Sequence, residues 1–114
     1  MKISILLPYK ENFSPDYPGA VSLFVYETSR ISRFKKDITI FGNTNYKIKF
    51  NLKYKNIDLN RNFFSSQTRN YVTKFISLEK KYKSSIIEVH NRPSYIHLLN
   101  EKIKNKVFTL YFHN

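Results

Sequence analysis

The chain has no cysteine in its 114 residues. This absence excludes disulfides, thiolate metal sites, a cysteine nucleophile and thiol redox chemistry. Long apolar runs are also missing, and the amino-terminal run offers only about five apolar residues before Pro8, too few for a signal peptide or a membrane span. The sequence therefore favours a cytoplasmic protein whose first apolar segment is a buried strand.

Glycine and acidic residues are scarce. The two glycines cannot form a Gly-x-Gly-x-x-Gly fingerprint, and no Walker lysine loop occurs. The eight Asp and Glu residues are scattered and the three histidines are not spaced as ligands, so neither a zinc site nor a glycosidase acid pair is supported. We therefore expect no metal and no bound cofactor.

Apolar residues make up 41% of the chain and aromatic residues 17%. This content predicts one packed domain over residues 1–114, because a disordered chain lacks the side chains that offset ordering entropy. The net charge of +12 attracts polyanions, but only five of the 20 basic residues are arginine, the residue favoured for phosphate and base contacts. We interpret the charge first as a solvated lysine-rich surface, second as attraction to an anionic membrane, and third as nucleic-acid binding.

Apolar patterns predict strands that alternate with helices. Residues 46–54 alternate strictly and predict a half-exposed strand, with lysines on its solvent side. The strand–helix–strand order predicts an α/β fold with a Rossmann-like open sheet, mostly parallel, and helices on both faces. The predicted strands are 2–8, 38–41, 46–54, 86–89 and 107–112; the predicted helices are 20–34, about 66–83 (capped by Ser65 or Ser66) and 93–102; residues 9–19 and 56–64 are predicted to be irregular.

Two predicted strands end on His-Asn, at His90 and at His113. In a parallel sheet these ends share the carboxyl edge, where open α/β sheets bind ligands. His90, Asn91 and Arg92 combine a titratable ring, an amide and a fixed cation, a set that suits a hydroxyl-rich or phosphorylated ligand. His113 is placed to hydrogen-bond a hydroxyl or to act near developing charge. The alternatives are that Asn91 caps the next helix, that Arg92 is solvated, and that His113 is only the polar end of a strand.

Gly19 stands just before the predicted helix that begins at Ala20. A glycine there lets the backbone approach a ligand, and the helix N-terminus favours anions. The alternative is that Gly19 only makes the turn into the helix. His97 lies within a predicted helix, and we interpret it as structural.

Five segments of the sequence stand out by their order and spacing. They are Met1-Lys-Ile-Ser-Ile-Leu-Leu-Pro8, Pro18-Gly19-Ala20-Val21 with Val25-Tyr26-Glu27-Thr28-Ser29, Asp37-Ile-Thr-Ile-Phe-Gly42, Ile86-Ile-Glu-Val-His-Asn-Arg-Pro-Ser94 and residues 107–114. Together they resemble the amino-terminal domain of GT-B glycosyltransferases of the family-four, group-one type. The resemblance covers nearly the whole chain.

The resemblance implies a domain that binds the sugar acceptor and faces a carboxyl-terminal domain that binds the nucleotide-sugar. Members carry a Gly-Gly loop after the first strand, so the pair Gly19-Ala20 departs from the family at its second position. The family's active-site histidine would correspond to His113, and its acceptor contacts to residues 90–92. The full enzyme would transfer sugar with retained anomeric configuration and without a metal bound in a DxD motif. Its acceptor would be a glycan or a lipid-linked glycan, in polysaccharide or lipopolysaccharide assembly on the cytoplasmic side of a membrane.

The donor-site residues of the family's second domain have no counterpart in these 114 residues. We therefore expect the chain to be a truncated fragment that does not transfer sugar alone. Lys80, Lys81 and Lys83 are expected to help it dock on anionic lipid. Two other hypotheses remain: a basic α/β module that binds single-stranded nucleic acid through lysines and aromatic rings, and a small interaction domain with no ligand.

Overall fold

The computed structural model describes residues 1–59 and 66–113. Five strands and three α-helices alternate along these residues, with one short 3-10 turn before the second strand. The elements are β1 (Ile3–Leu6), α1 (Ala20–Arg30), β2 (Ile38–Gly42), β3 (Tyr54–Asn56), α2 (Gln67–Tyr82), β4 (Ile86–His90), α3 (Pro93–Lys102) and β5 (Val107–Tyr111).

All five strands belong to one sheet in the order β3-β2-β1-β4-β5, and every pairing is parallel. β1 is central because its run of apolar residues is buried on both faces, as is typical of parallel sheets. The predicted Rossmann-like open sheet is confirmed. The order reverses direction between β1 and β4, which makes the carboxyl ends of these two strands a topological switch point.

Two apolar cores cover the two faces of the sheet. Neighbouring residues of β1 divide between them, with Leu6 in the core formed by α2 and α3 and Ile5 in the core formed by α1. Successive strand residues point to opposite faces, so α1 covers one face while α2 and α3 cover the other. The prediction of helices on both faces is therefore also confirmed.

The helices begin where the sequence offers a cap or a proline. Ser66 caps α2 by accepting a hydrogen bond from the backbone N–H of Arg69, as predicted for one of the two candidate serines; Ser65 lies outside the described residues. Pro93 opens α3, where the missing N–H costs nothing. No helix in the described parts of the chain combines the length and the apolar character needed to cross a membrane.

The predicted strand over residues 46–54 is wrong. β3 pairs with β2 only over Tyr54–Asn56, and residues 46–53 are bends and irregular segments outside any strand. The alternation of apolar residues there serves ring packing, since Phe50 stacks on Tyr26 with ring centroids 4.1 Å apart. Ile48, one of the alternating apolar residues, is 61% exposed instead of buried.

Other boundaries also differ from prediction. α1 ends at Arg30, four residues before the predicted end at residue 34, and Ile31 is its exposed C-cap. β1 covers only residues 3–6. The predicted irregular stretch 56–64 lies partly outside the described residues, and its first residue instead ends β3.

Candidate functional site at the carboxyl edge

Two neighbouring strands end side by side at the carboxyl edge of the sheet. β4 ends at His90, and His113 follows two residues after β5. The two histidines contact each other, with 2.8 Å between Nδ1 of His90 and Nε2 of His113. Their predicted proximity at the carboxyl edge is therefore observed.

Glu88 extends this pair into a chain of three groups. Its Oε2 lies 2.6 Å from Nε2 of His90. Glu88 and His90 are two positions apart on β4, so both side chains point to the α1 face of the sheet. His90 is only 1% exposed while the side chain of Glu88 is 30% exposed. The three contacting groups therefore lead from the partly exposed carboxylate of Glu88, through the buried ring of His90, to His113.

Aromatic rings surround the two histidines. Tyr111 of β5 stacks on His90 with ring centroids 5.3 Å apart. Phe24 of α1 meets the ring of His113 edge-on at 4.8 Å. This apolar contact holds the imidazole rings in place and removes water from one side of each.

Asn91 fixes the backbone on which His113 sits. Its Oδ1 accepts a hydrogen bond from the backbone N–H of His113 at 2.6 Å, and its own N–H donates to the carbonyl of Tyr111 at 2.9 Å. Asn91 adopts a φ of 53°, a left-handed conformation that asparagine tolerates better than most residues. The ring of His113 is thus held by His90 and its backbone by Asn91.

Burial lowers the pKa of His113, and the positive charge that His90 can carry lowers it further. Two carboxylates, those of Glu11 and Glu88, act in the opposite direction. The net effect lowers the pKa of His113, so the imidazole is neutral at physiological pH. A neutral imidazole has one nitrogen that can accept a hydrogen bond.

Gly19 is the N-cap of α1 and Ala20 is its first residue, and both lie at the same edge of the sheet. The first turn of the helix already binds a carboxylate. Oε1 of Glu11, from the loop after β1, accepts a hydrogen bond from the backbone N–H of Ser22 at 3.0 Å. A Cβ on Gly19 would lie 1.8 Å from that oxygen, so glycine is needed to make room for Glu11. Ala20 is exposed in the first turn.

Arg92 does not join the histidines. It is exposed at the start of α3, and its Nη1 donates to the carbonyl of Asn91 at 2.9 Å. His97 lies on the exposed side of α3 with its Nε2 3.8 Å from Oε1 of Glu101. The structure thus brings His90, Asn91 and His113 into direct contact and leaves Arg92 at the rim.

The sequence analysis missed Glu11, Glu88 and Phe24. The signal for Glu88 was present, because Glu-x-His within a predicted strand places both side chains on one face. The signal for Glu11 was absent, since only the folded path of the loop brings it to α1. Among residues 1–59 and 66–113, no group of three or more His, Asp or Glu side chains is arranged to hold a metal ion.

Comparisons of the chain with models of protein families, with curated proteins and with solved structures gave no match.

Proposed function

We propose that this chain is the acceptor-binding domain of a glycosyltransferase, in which His113 contacts a hydroxyl of the bound sugar. One observation carries the proposal. His113 is held by His90 and by Asn91 at the carboxyl edge of a parallel sheet, and its Nδ1 makes no hydrogen bond with any described residue. A fixed imidazole with one unused nitrogen suits recognition of a hydroxyl group.

The charge at this edge favours a neutral ligand. The carboxylate of Glu11 occupies the first turn of α1, where a phosphate would otherwise be favoured. It repels phosphate and can accept hydrogen bonds from sugar hydroxyls. This fits an acceptor site for a glycan or a lipid-linked glycan, with the nucleotide-sugar donor held by a second domain, so that these 114 residues alone transfer no sugar.

NMR titration of the 15N-labelled chain tests the proposal. The probes are glucose, galactose, N-acetylglucosamine and their octyl glycosides. We expect at least one to shift the resonances of His113, Asn91 and Gly19 together. H113A should weaken that binding about fivefold, since a hydrogen bond contributes about 1 kcal/mol.

H97A is the matched control, because His97 is a solvent-exposed histidine on α3. It should leave the affinity unchanged. Equal weakening by both variants, or the absence of any shift at His113 with every sugar, would contradict an acceptor site at this edge.

A second candidate function is single-stranded nucleic-acid binding, favoured by one exposed aromatic pair. Tyr17 is 81% exposed and its ring lies 6.0 Å from that of Tyr46, close to Lys47 in the sequence. Stacking rings beside cations can bind bases without sequence preference. In the same NMR experiment, an oligothymidylate that shifts Tyr17 and Tyr46 while the sugars shift nothing would favour this function.

A further inference from the structure

Glu88, His90 and His113 form one continuous hydrogen-bonded chain, with contacts of 2.6 Å and 2.8 Å. Each neutral imidazole has one nitrogen that donates and one that accepts. The hydrogens along such a chain cannot be placed independently, because a donor must face an acceptor at each contact.

The carboxylate of Glu88 determines in which direction the hydrogen bonds run between the three groups. An ionised Glu88 can only accept, so Nε2 of His90 must carry the proton. Nδ1 of His90 then becomes an acceptor, and Nε2 of His113 must donate to it. The remaining nitrogen of His113, Nδ1, is left bare. This placement follows from the pairing of the groups, as hydrogens are assigned in such networks.

We propose that Glu88 is a positioning residue which, through His90, holds His113 in the tautomer that keeps its proton on Nε2 and presents Nδ1 as an acceptor. The tautomer is a property of the chain alone; only the identification of the acceptor's partner as a sugar hydroxyl rests on the proposed function. Glu88 thereby determines that the site recognises a donor group and not an acceptor group.

Packing around the two histidines restricts any change in the orientation of their rings. His90 is buried and stacked on Tyr111, and Phe24 packs against the ring of His113. The charged or titratable groups that act on His113 are His90 and Glu88 from β4 and Glu11 from the loop after β1. Glu88 is the member of this set that contacts His90.

NMR of the chain labelled with 15N in its histidine rings tests the proposal without any ligand. Bare and proton-bearing ring nitrogens resonate in separate regions, so each tautomer is read directly at a pH where the rings are neutral. We expect His90 and His113 both to carry the proton on Nε2. In E88Q the amide can present either its oxygen or its NH2 to His90, so the Nδ1–H form of His113 should rise from a trace to a population comparable with the Nε2–H form.

A second background separates the relay from a direct effect of charge. In H90F the link is cut because the phenyl ring can neither donate nor accept, and E88Q should then leave the nitrogen shifts of His113 unchanged. E101Q is the matched control, because Glu101 lies beside the exposed His97, and it should not affect His113.

Three outcomes would overturn the proposal: a proton on Nδ1 of His113 in the native chain, unchanged His113 shifts in E88Q, or the same E88Q effect with and without His90. Each is independent of sugar binding. A chain that shows the expected tautomer but binds no sugar would keep the relay and refute the proposed function.

Discussion

Gly19 and Glu11 share one small space at the start of α1. Gly19 is the N-cap of the helix but has no side chain to cap it, and Glu11 supplies the missing acceptor from eight residues upstream. This cap stabilises the start of α1, and it also holds the loop after β1 against the candidate site.

We expect G19A to reduce the free energy of unfolding by about 1 kcal/mol, the usual effect of losing a helix cap. The added Cβ would displace the Glu11 carboxylate from Ser22. Urea unfolding followed by circular dichroism measures this. In an E11A background the same substitution should cost much less, because the displaced group is gone; equal costs in both backgrounds would refute the shared space.

His113 gives the stability a pH dependence of known sign. Its pKa is lowered in the folded chain, whereas in the unfolded chain it is near about 6.5. The unfolded state therefore binds more protons, and the contribution of His113 is present above about pH 6.5 and is lost as the pH falls through the folded pKa.

We expect urea unfolding at pH 7.5 and 5.5, values either side of about 6.5, to show a smaller loss of stability on acidification in H113Q than in the native chain. H97Q removes an exposed histidine and should keep the native pH dependence. An H113Q chain that loses as much stability as the native chain would mean that protonation of His113 is not penalised by its surroundings.

Glu79 connects α2 to two strands at the opposite edge of the sheet. It is 1% exposed and accepts hydrogen bonds from Oγ of Ser4 at 3.0 Å and from the N–H of Ser84 at 2.7 Å. Nζ of Lys106 lies 3.7 Å from it. One carboxylate thus positions the end of α2 against β1 and against the turn that leads into β4.

We expect E79A to reduce the free energy of unfolding by about 3 kcal/mol, because it leaves the buried donors of Ser4 and Ser84 without their acceptor. E101A, which removes an exposed carboxylate from α3, should change it by less than about 0.5 kcal/mol. Thermal and urea unfolding measure both variants. A loss below about 1 kcal/mol in E79A would show that water replaces the carboxylate.

The periodic spacing of apolar residues predicts a strand or helix well where those residues are the buried ones. β1 and β4 were predictable because their apolar runs are buried between two helical layers, and α2 because Tyr71 and Phe75 recur on one face. Residues 46–53 were not, because their alternating rings pack on Phe13 and Tyr26, contacts between segments distant in sequence. The same holds for the site: two His-Asn strand ends predicted its place, while Glu11 needed the folded loop.

Charge is distributed unevenly over the molecule. A lysine stands within three residues before each of the five strands, and in a parallel sheet these positions share the amino edge. A pocket of about 470 Å³ there is lined by Lys2, Lys36 and Lys53. The basic amino edge and the candidate site therefore lie on opposite ends of the domain. The five lysines are Lys2, Lys36, Lys53, Lys83 and Lys106.

This distribution supports docking on an anionic membrane through the amino edge. We expect the chain to bind vesicles that contain phosphatidylserine more tightly than neutral ones, with binding weakened by salt. The double variant K36A/K83A should bind about thirtyfold more weakly, at about 1 kcal/mol per lysine. Vesicle co-sedimentation measures this.

The double variant K47A/K49A is the matched control, since it removes two lysines from the connection that follows β2 at the other edge. It should bind vesicles nearly as well as the native chain. Equal weakening in both double variants would assign the attraction to net charge alone.

The central position of β1 also affects how the chain folds during its synthesis. β1 is synthesised before the other four strands, yet Ile3 pairs with Ile86, and the face that Leu6 occupies is covered only when α2 and α3 have been made. Throughout synthesis of the first half, β1 keeps one unpaired edge and one bare apolar face, the features that invite aggregation. β1 therefore stays open to such contacts until β4 has been synthesised and pairs with it.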